Sequence, residues 1–318
     1  MDIKLERSCI VKIIVVFLIL IGLGVVGLIS GAIGNALFGG GGFFGFFTVP
    51  KPHPKLPAET VLHIGNFSIT NTLFASWLTM IVLVCFALAV TRRMKVIPGR
   101  VQNFFELIIE SLLNFVESVA GKENGRKFFP VIATIFLFVI ANAWLSLLPG
   151  FGSIVVHGVE EETHLLRGAN TDINVPLAVA VASFIFVEYW GVVSLGFFTY
   201  MSKFFNVRGI FYGIAQIFKG KIKVGITSIF TGVINAFIGV LESISELVRM
   251  VSFTFRLFGN MLAGEILLLT AAFLVPWVVP VVFYGLELLV GFVQALIFSG
   301  LTLVFVTVAV AHTHNEDK

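Results

Sequence analysis

One stretch decides the class of this protein: Val251-Ser-Phe-Thr-Phe-Arg-Leu-Phe-Gly-Asn-Met-Leu-Ala-Gly-Glu-Ile-Leu-Leu-Leu-Thr270. It is apolar enough to lie in a membrane, yet it contains Arg256, Asn260 and Glu265. An arginine at bilayer depth costs roughly 2.5–3.5 kcal/mol on insertion scales, so it must face protein or water and is a functional candidate. At 100° per residue, Asn260 lies about 40° from Arg256 and Glu265 about 180° from it. The alternative is a buried Arg–Glu pair that only joins helices.

The composition is that of a membrane protein. Of the 318 residues, 58% are hydrophobic and 12% are charged, whereas about 25% are charged in a typical soluble domain. We therefore predict an all-α polytopic membrane protein. No basic stripe with interleaved aromatic residues indicates a nucleic-acid partner, and no Gly-rich phosphate loop indicates a nucleotide site. The two cysteines lack metal-ligand spacing, so neither a metal nor another cofactor is predicted.

Long apolar runs predict about six membrane-crossing helices, at residues 13–29, 71–90, 128–148, 174–201, 229–270 and 280–312. Residues 101–119 have acidic side chains near one face and apolar ones opposite. They predict an amphipathic helix on the membrane surface, or one packed on a partner. A helix over 229–270 would be roughly 63 Å long, about twice the hydrocarbon thickness, so it is strongly tilted or begins outside the lipid.

The distribution of charge predicts the orientation. The loop 151–172 holds four acidic residues against Arg167 alone and is predicted to be external. Residues 202–228 carry five basic residues and are predicted to be cytoplasmic. Both termini are then cytoplasmic, if the first helix is retained.

Three regions follow along the chain. Residues 1–33 are an extra N-terminal hydrophobic helix or a cleaved signal peptide. Residues 34–70 are a Gly/Phe/Pro-rich external linker, because Gly39–Gly45 and the prolines from Pro50 to Pro57 disfavour regular structure. Residues 71–318 are the membrane domain.

Four ordered motifs resemble subunit a of the F-type ATP synthase, the stator half of its proton channel. The first is Arg256-Leu-Phe-Gly-Asn-Met-Leu-Ala-Gly-Glu265. The others are Gln294-Ala-Leu-Ile-Phe298 with Leu301-Thr-Leu303, Thr171-Asp-Ile-Asn-Val-Pro176, and Asn142 with Leu148-Pro-Gly150. The resemblance covers roughly residues 57 to 312. The N-terminal helix departs from it, since typical members begin with the next helix.

The resemblance implies a subunit that translocates ions and is not catalytic by itself. Its partners would be a rotor ring of small hairpin subunits, the membrane subunits of the peripheral stalk and the lipid bilayer. Arg256 would face the ring carboxylates and separate two aqueous half-channels. The last two helices would form a long tilted hairpin around the ring, in an energy-transducing membrane such as the bacterial inner membrane. The choice between H⁺ and Na⁺ stays open.

The same resemblance assigns residues to the ion path. Glu265 matches an acidic position, and Glu287 occupies a site that is acidic or histidine among relatives. Glu287 precedes Gln294 by seven residues, so the two share about the same helix face; the alternative role for Gln294 is an interhelical hydrogen bond. Further path residues are Asn260, Asn142, Asp172 and Asn174, with Glu242 and Glu246 on the exit side.

Two other functional classes agree less well with the sequence. A secondary transporter with an intramembrane Arg/Glu substrate site would be expected to show internal repeats and paired broken helices, and the sequence has neither. A structural membrane scaffold gives no reason to bury Arg256.

Overall fold

A computed structural model describes residues 2–38, 51, 57–65, 67–92, 94–95, 99–157, 162–204, 208–219 and 221–311. Its α-helices are α1 (Asp2–Ser30), α2 (Ala32–Phe38), α3 (Asn71–Thr91), α4 (Arg100–Ser146), α5 (Asn174–Leu195), α6 (Phe197–Phe204), α7 (Arg208–Phe218), α8 (Ile222–Leu274) and α9 (Val278–Ala311). Its strands are β1 (Thr60–Ile64), β2 (Phe67–Thr70), β3 (Pro149–Gly152), β4 (Val155–His157) and β5 (Glu162–His164). β1 pairs with β2 and β4 with β5, each antiparallel.

The helices confirm the predicted class, an all-α polytopic membrane protein. Five of the described helices, α3, α4, α5, α8 and α9, are long and apolar enough to cross a membrane. A shorter apolar helix, Ile14–Ser30, lies within α1. Because backbone polar groups must be satisfied inside the lipid, helices of this length and composition are the expected spanning elements.

Two glycines set the limits of the middle helices. The predicted helices 101–119 and 128–148 are continuous in α4 apart from a break at Gly121, where φ is 77° and ψ 164°. The span predicted to reach residue 201 is wrong at its C-terminal end, because α5 ends at Leu195. Gly196 there has φ 80°, a conformation that favours glycine and ends the helix.

The predicted linker and cytoplasmic segment contain regular structure. Most of α2 and both β1 and β2 lie within residues 34–70, and α7 with the start of α8 lies within 202–228. α8 has 53 residues, roughly 80 Å of helix. Some residues used in the sequence predictions lie outside the described part of the chain: Gly39–Gly45, Pro50, Pro52, Pro54, Glu160 and Glu161.

The chain divides into two compact units. The first unit comprises Met1–Trp77, Ile140–Asp172 and Gly259–Val293, and the second comprises Leu78–Val139, Ile173–Phe258 and Gln294–Lys318. The core of the second unit contains apolar side chains from α4, α5 and α9: Val116, Phe128, Ile132, Val187, Leu303, Val306 and Ala309.

In the first unit, α1 and the residue that follows it contact the end of α8 and the turn after it through two glycines. A Cβ on Gly27 would overlap the Pro276 carbonyl, and one on Gly31 would overlap the Leu274 carbonyl. Gly24, on the same helix, has no such neighbour within 4 Å. Small residues at helix contacts allow backbones to approach closely. α1 is therefore an integral part of the first unit.

We predict that Gly31→Leu lowers the free energy of unfolding, because a side chain there displaces α1 from the turn. The expected cost is about 1–3 kcal/mol, the range for an overpacked contact. Thermal unfolding of the full chain in one detergent measures it. Gly24→Leu is the matched control and should leave the transition unchanged; equal transitions for both variants would contradict this packing.

Candidate functional site

A cavity of about 590 Å³ lies within the first unit. Residues from β3 and β5, the end of α4, α8 and α9 line it. The polar lining includes Glu59, Asn71, Asn142, Ser146, His164, Arg167, Asn170, Thr171, Glu265, Tyr284 and Glu287. A space of this size holds several water molecules, and its walls are both charged and polar.

Arg167 and Glu265 form an ion pair at this cavity. Arg167 Nε lies 3.1 Å from Glu265 Oε1, and Arg167 Nη2 lies 3.0 Å from Oε2. The Arg167 side chain is only 11% exposed and that of Glu265 31%. This bidentate contact fixes the orientation of the carboxylate. Arg167 Nη1 also donates to the Pro57 carbonyl at 3.2 Å. This hydrogen bond attaches the segment before β1 to the ion pair.

Glu287 is buried in the cavity wall, with 6% of its surface exposed. Its carboxylate lies against Gly264 of α8, where any Cβ would overlap it. Trp144 Nε1 donates to the Leu288 carbonyl at 3.1 Å, and Gly291 packs on Ala143, so α4 and α9 are in contact beside Glu287. Within the described part of the chain no ion pair involves Glu287.

Two asparagines give the cavity wall unused hydrogen-bonding capacity. Asn71 Nδ2 donates to the His164 carbonyl at 3.2 Å, but its Oδ1 is buried without a partner among the described atoms. Both amide atoms of Asn170 are buried and likewise unpaired there. Because buried polar groups in proteins are normally satisfied, such atoms indicate ordered water in the cavity.

The sequence-predicted path residues of the first unit are partly brought together. Asn142, Glu265 and Glu287 line the same cavity. Asp172 is buried and accepts a 2.9 Å hydrogen bond from Thr72 Oγ1, although it is not among the cavity-lining residues. Asn260 is exposed and is also absent from the lining.

Arg256 belongs to the second unit and is exposed. Its guanidinium carbon lies 5.9 Å from the centre of the Phe253 ring, and no ion pair of the described chain involves it. Phe253 is buried and contacts the Phe298 ring at 4.9 Å between centroids. Phe253, which lies beside the Arg256 guanidinium, is therefore held in place by an aromatic contact between α8 and α9.

The other arginine of this helix has a different environment. The Arg249 guanidinium lies over the Phe305 ring at 3.9 Å, a distance typical of a cation–π contact. Phe305 is 5.8 Å from Phe253 between centroids. One cation is thus packed on aromatic surface, whereas the cation seven residues later is exposed.

Acidic residues gather around Tyr200 in the second unit. Tyr200 is 1% exposed. Burial raises the pKa of its hydroxyl, and a hydrogen bond to Glu188 with the charges of Glu246 and Glu242 raises it further. The hydroxyl therefore stays protonated and donates to Glu188. Glu246 is buried and Glu242 half-buried.

The remaining predicted path residues of the second unit differ in exposure. Gln294 on α9 is 8% exposed, so it lies inside the unit. Asn174, at the first position of α5, is exposed.

Sequence reasoning missed several polar residues of these sites. Arg167 was read only as an external charge, although a lone arginine in an acidic loop was a signal of a paired role. Its partner is 98 positions away, so no local pattern shows the pair. Glu188 carried a clearer signal, since an acid within an apolar span is a functional candidate. Asn71, Asn170 and Tyr200 have no distinguishing pattern.

Comparison with known proteins shows one family. Residues 73–307 match the model of the family described as ATP synthase A chain. The chain is 30% identical over 254 residues to ATP synthase subunit a of Helicobacter pylori, covering 79% of this chain and 96% of that protein. It is 28% identical over 256 residues to ATP synthase subunit a of Trichlorobacter lovleyi, covering 80% and 94%. For ATP synthase subunit a of Moorella thermoacetica the identity is 26% over 250 residues, covering 79% and 94%.

We predict that Arg167 and Glu265 stabilise the first unit together. Arg167→Ala should lower the free energy of unfolding by about 2–3 kcal/mol, because it leaves a partly buried carboxylate without its charged donor. A double-mutant cycle with Glu265→Ala should give a coupling of at least about 1 kcal/mol.

The control is Arg126→Ala, which removes a 3.0 Å pair with Glu117 whose arginine is 73% exposed. It should cost no more than about 1 kcal/mol, as surface pairs do. A coupling near zero between Arg167 and Glu265 would show that the pair does not hold the unit together.

Proposed function

The chain belongs to the ATP synthase A chain family, and from this we propose that it forms two aqueous half-channels separated by Arg256. It is a subunit of the membrane sector of the F-type ATP synthase, a multi-pass bacterial membrane protein and not catalytic by itself.

The exposure of Arg256 is the observation that carries the proposal. It lies on a helix that is apolar enough to cross a membrane, yet its side chain is exposed and makes no ion pair within the described residues. A permanently charged guanidinium on such a surface requires a partner, because a cation facing hydrocarbon is costly. A carboxylate of a rotor ring supplies that partner. Asn260, one helical turn further along α8, is also exposed.

The cavity of the first unit is the access half-channel in this proposal. Glu265 and Glu287 line it together with Asn142, and the unpaired amide atoms of Asn71 and Asn170 favour ordered water. Carboxylates exchange protons with water, so the two acids relay protons from the external side. Asp172 contributes a further polar group of the first unit, and Asn174 and Gln294 are the proposed path residues of the second unit. Arg167 orients Glu265 and keeps it in the cavity wall.

The acidic cluster of the second unit is the exit half-channel. Glu246 and Glu242 lie on the cytoplasmic side of Arg256 in sequence, and the Tyr200 hydroxyl donates to Glu188 beside them. Several acids in a mostly apolar unit are costly unless water or protons reach them. This environment suits the release of protons to the cytoplasm.

Rotation then follows from the cost of charge. A ring carboxylate near Arg256 is ionised, since an opposite charge within about 4–6 Å favours the charged form. A proton from the access half-channel neutralises a carboxylate, which can then move into lipid. Ring rotation brings each site to the exit side, where it loses the proton again. Arg256 blocks direct passage between the half-channels, and a potential of 100 mV supplies about 2.3 kcal/mol per proton.

The same proposal includes the chain's organisation in the bilayer. Residues 71–318 are the membrane domain, 34–70 an external linker, and 1–33 an extra helix. The contacts of Gly27 and Gly31 with the turn after α8 support its retention. Both termini are then cytoplasmic, the peripheral-stalk membrane subunits and the rotor ring are the neighbours, and the membrane is the bacterial inner membrane.

We predict that Arg256→Ala abolishes proton-driven ATP synthesis while the complex still assembles. Arg256→Lys should fail largely as well, because a desolvated ammonium can lose its proton and guanidinium does not. Synthesis is measured in inverted vesicles per assembled complex. Arg126→Ala, which removes an exposed arginine, should leave the rate unchanged. Wild-type rates of ATP synthesis in either Arg256 variant would contradict the role of Arg256 as the separator of the half-channels.

We also predict that Glu287→Gln and Glu265→Gln each slow proton pumping without uncoupling it. Each should lower the rate by roughly tenfold and the double variant by at least roughly a hundredfold, so that the combined loss reaches the lower end of the contribution of a positioned proton-transfer group, about 10²–10⁴-fold. Coupling persists because Arg256 still separates the half-channels. The measurement is pumping in inverted vesicles, normalised to assembled complex.

The control is Glu123→Gln, a carboxylate that is 86% exposed and paired with Lys127. It should pump normally. If the two acids only hold helices together, glutamine preserves part of that bonding, and the variants would show reduced assembly with normal pumping per complex. Normal pumping per complex in the double variant would exclude the relay.

A further inference from the structure

A helical hairpin in the second unit has no role in the channel described above. It consists of α7 and the start of α8, residues 208–234, which are joined by a short turn. We call this segment the 208–234 hairpin. Lys221 N donates to the Gln216 carbonyl at 3.1 Å and Gly225 N to the Lys221 carbonyl at 2.9 Å, so hydrogen bonds order the turn.

Glycines bring the two helices of the hairpin into backbone contact. A Cβ on Gly213 would lie 2.7 Å from Ile229 N and 2.8 Å from the Gly225 carbonyl oxygen. A Cβ on Gly209 would lie 2.8 Å from Gly232 Cα. The inner face of the hairpin is thus closely packed by backbone and by the Ile217 and Ile229 side chains against the glycines, and the large aromatic side chains lie outside it.

The outward side chains are mainly aromatic and aliphatic. Phe218 is 89% exposed, Phe211 69%, Phe230 68% and Tyr212 57%. A helix that is hydrophobic on its outer surface is stable when it is buried in protein or in a membrane. α7 has 11 residues, about 16 Å, which is too short to cross a hydrocarbon core of about 30 Å. Its length therefore favours a position at the membrane interface.

The charge of the segment identifies the lipid. From Tyr189 to Leu241 the sequence has no Asp or Glu, and it carries Lys203, Arg208, Lys219, Lys221 and Lys223. The last three surround the hairpin turn and are exposed. Aromatic rings at the headgroup level and basic residues beside them are the two features that attract a segment to an anionic leaflet.

We propose that the 208–234 hairpin lies in the bilayer interface and binds anionic phospholipid headgroups through Lys219, Lys221 and Lys223. The aromatic side chains enter the boundary between headgroups and acyl chains, and the lysines reach the phosphates. The hairpin thereby anchors the N-terminal end of α8, the helix that carries Arg256. This inference needs no ion translocation and stands or falls independently of the channel.

The first experiment measures depth. The full chain, with Cys9→Ser, is reconstituted in nanodiscs, and spin labels are placed at Phe218→Cys in a Cys85→Ser background. A label on the native, exposed Cys85 is the lipid-facing reference, and Glu123→Cys is the aqueous reference. We expect residue 218 to collide with oxygen rather than with an aqueous nickel chelate. Accessibility equal to that of residue 123 would overturn the proposal.

The second experiment measures lipid selectivity. Phosphatidylglycerol is titrated into phosphatidylcholine nanodiscs, and its preference for the chain is measured with spin-labelled lipids. Replacing the three lysines by glutamine should reduce the preference by about tenfold or more, since each lysine near an anionic surface contributes roughly fivefold. The matched control replaces Lys122, Arg126 and Lys127, two of which pair with nearby carboxylates, and should retain the preference.

A preference that survives in the lysine variant would overturn the assignment of these lysines. The same labels in the assembled complex test a protein occupant. If residue 218 is shielded only when companion subunits are present, the surface binds protein rather than lipid, and the proposal is wrong.

Discussion

The cost of a charge in an apolar environment determines how this protein is built. Only 12% of its residues are charged, and the charged side chains within the helices have different environments. Glu265 is held by a bidentate ion pair with Arg167, and Arg249 lies on an aromatic ring. Glu287 is buried in the wall of a polar cavity. Each arrangement lowers the penalty by a different means: ion pairing, cation–π contact or access to water.

Arg256 is the exception among these charges, and its exposure gives the proposed function its physical content. The structure provides no carboxylate for it among the described residues. Burying it within the chain would require a permanent carboxylate partner, and such a partner would prevent any exchange with successive carboxylates of a ring. A cation that is fixed in position but open on one side meets both requirements, because attraction can form and break as the ring turns.

Glycine residues occur where polar groups or backbones come close together. Gly264 leaves space for the Glu287 carboxylate, and Gly31 admits the Leu274 carbonyl. Gly213 brings α7 into contact with α8. In a membrane, apolar burial gives little drive for helix association, so contact between backbones becomes important. By allowing these close contacts, the glycines help to position charged and aromatic side chains of neighbouring residues.

The sequence alone determined the membrane class, the limits of α3 and α9 to within two residues, and the family, because these depend on local composition and on ordered motifs. It also identified Asn142, Glu265 and Glu287, which line one cavity. It misplaced the end of α5, since the sequence continues apolar through Gly196 and only the backbone conformation stops the helix. The Arg167–Glu265 pair, the amides of Asn71 and Asn170, and the Tyr200–Glu188 contact were decided by the tertiary structure. Arg167 and Glu265 lie 98 positions apart, and Glu188 and Tyr200 lie on different helices, α5 and α6, so no periodicity records these contacts and only packing brings the groups within hydrogen-bonding distance.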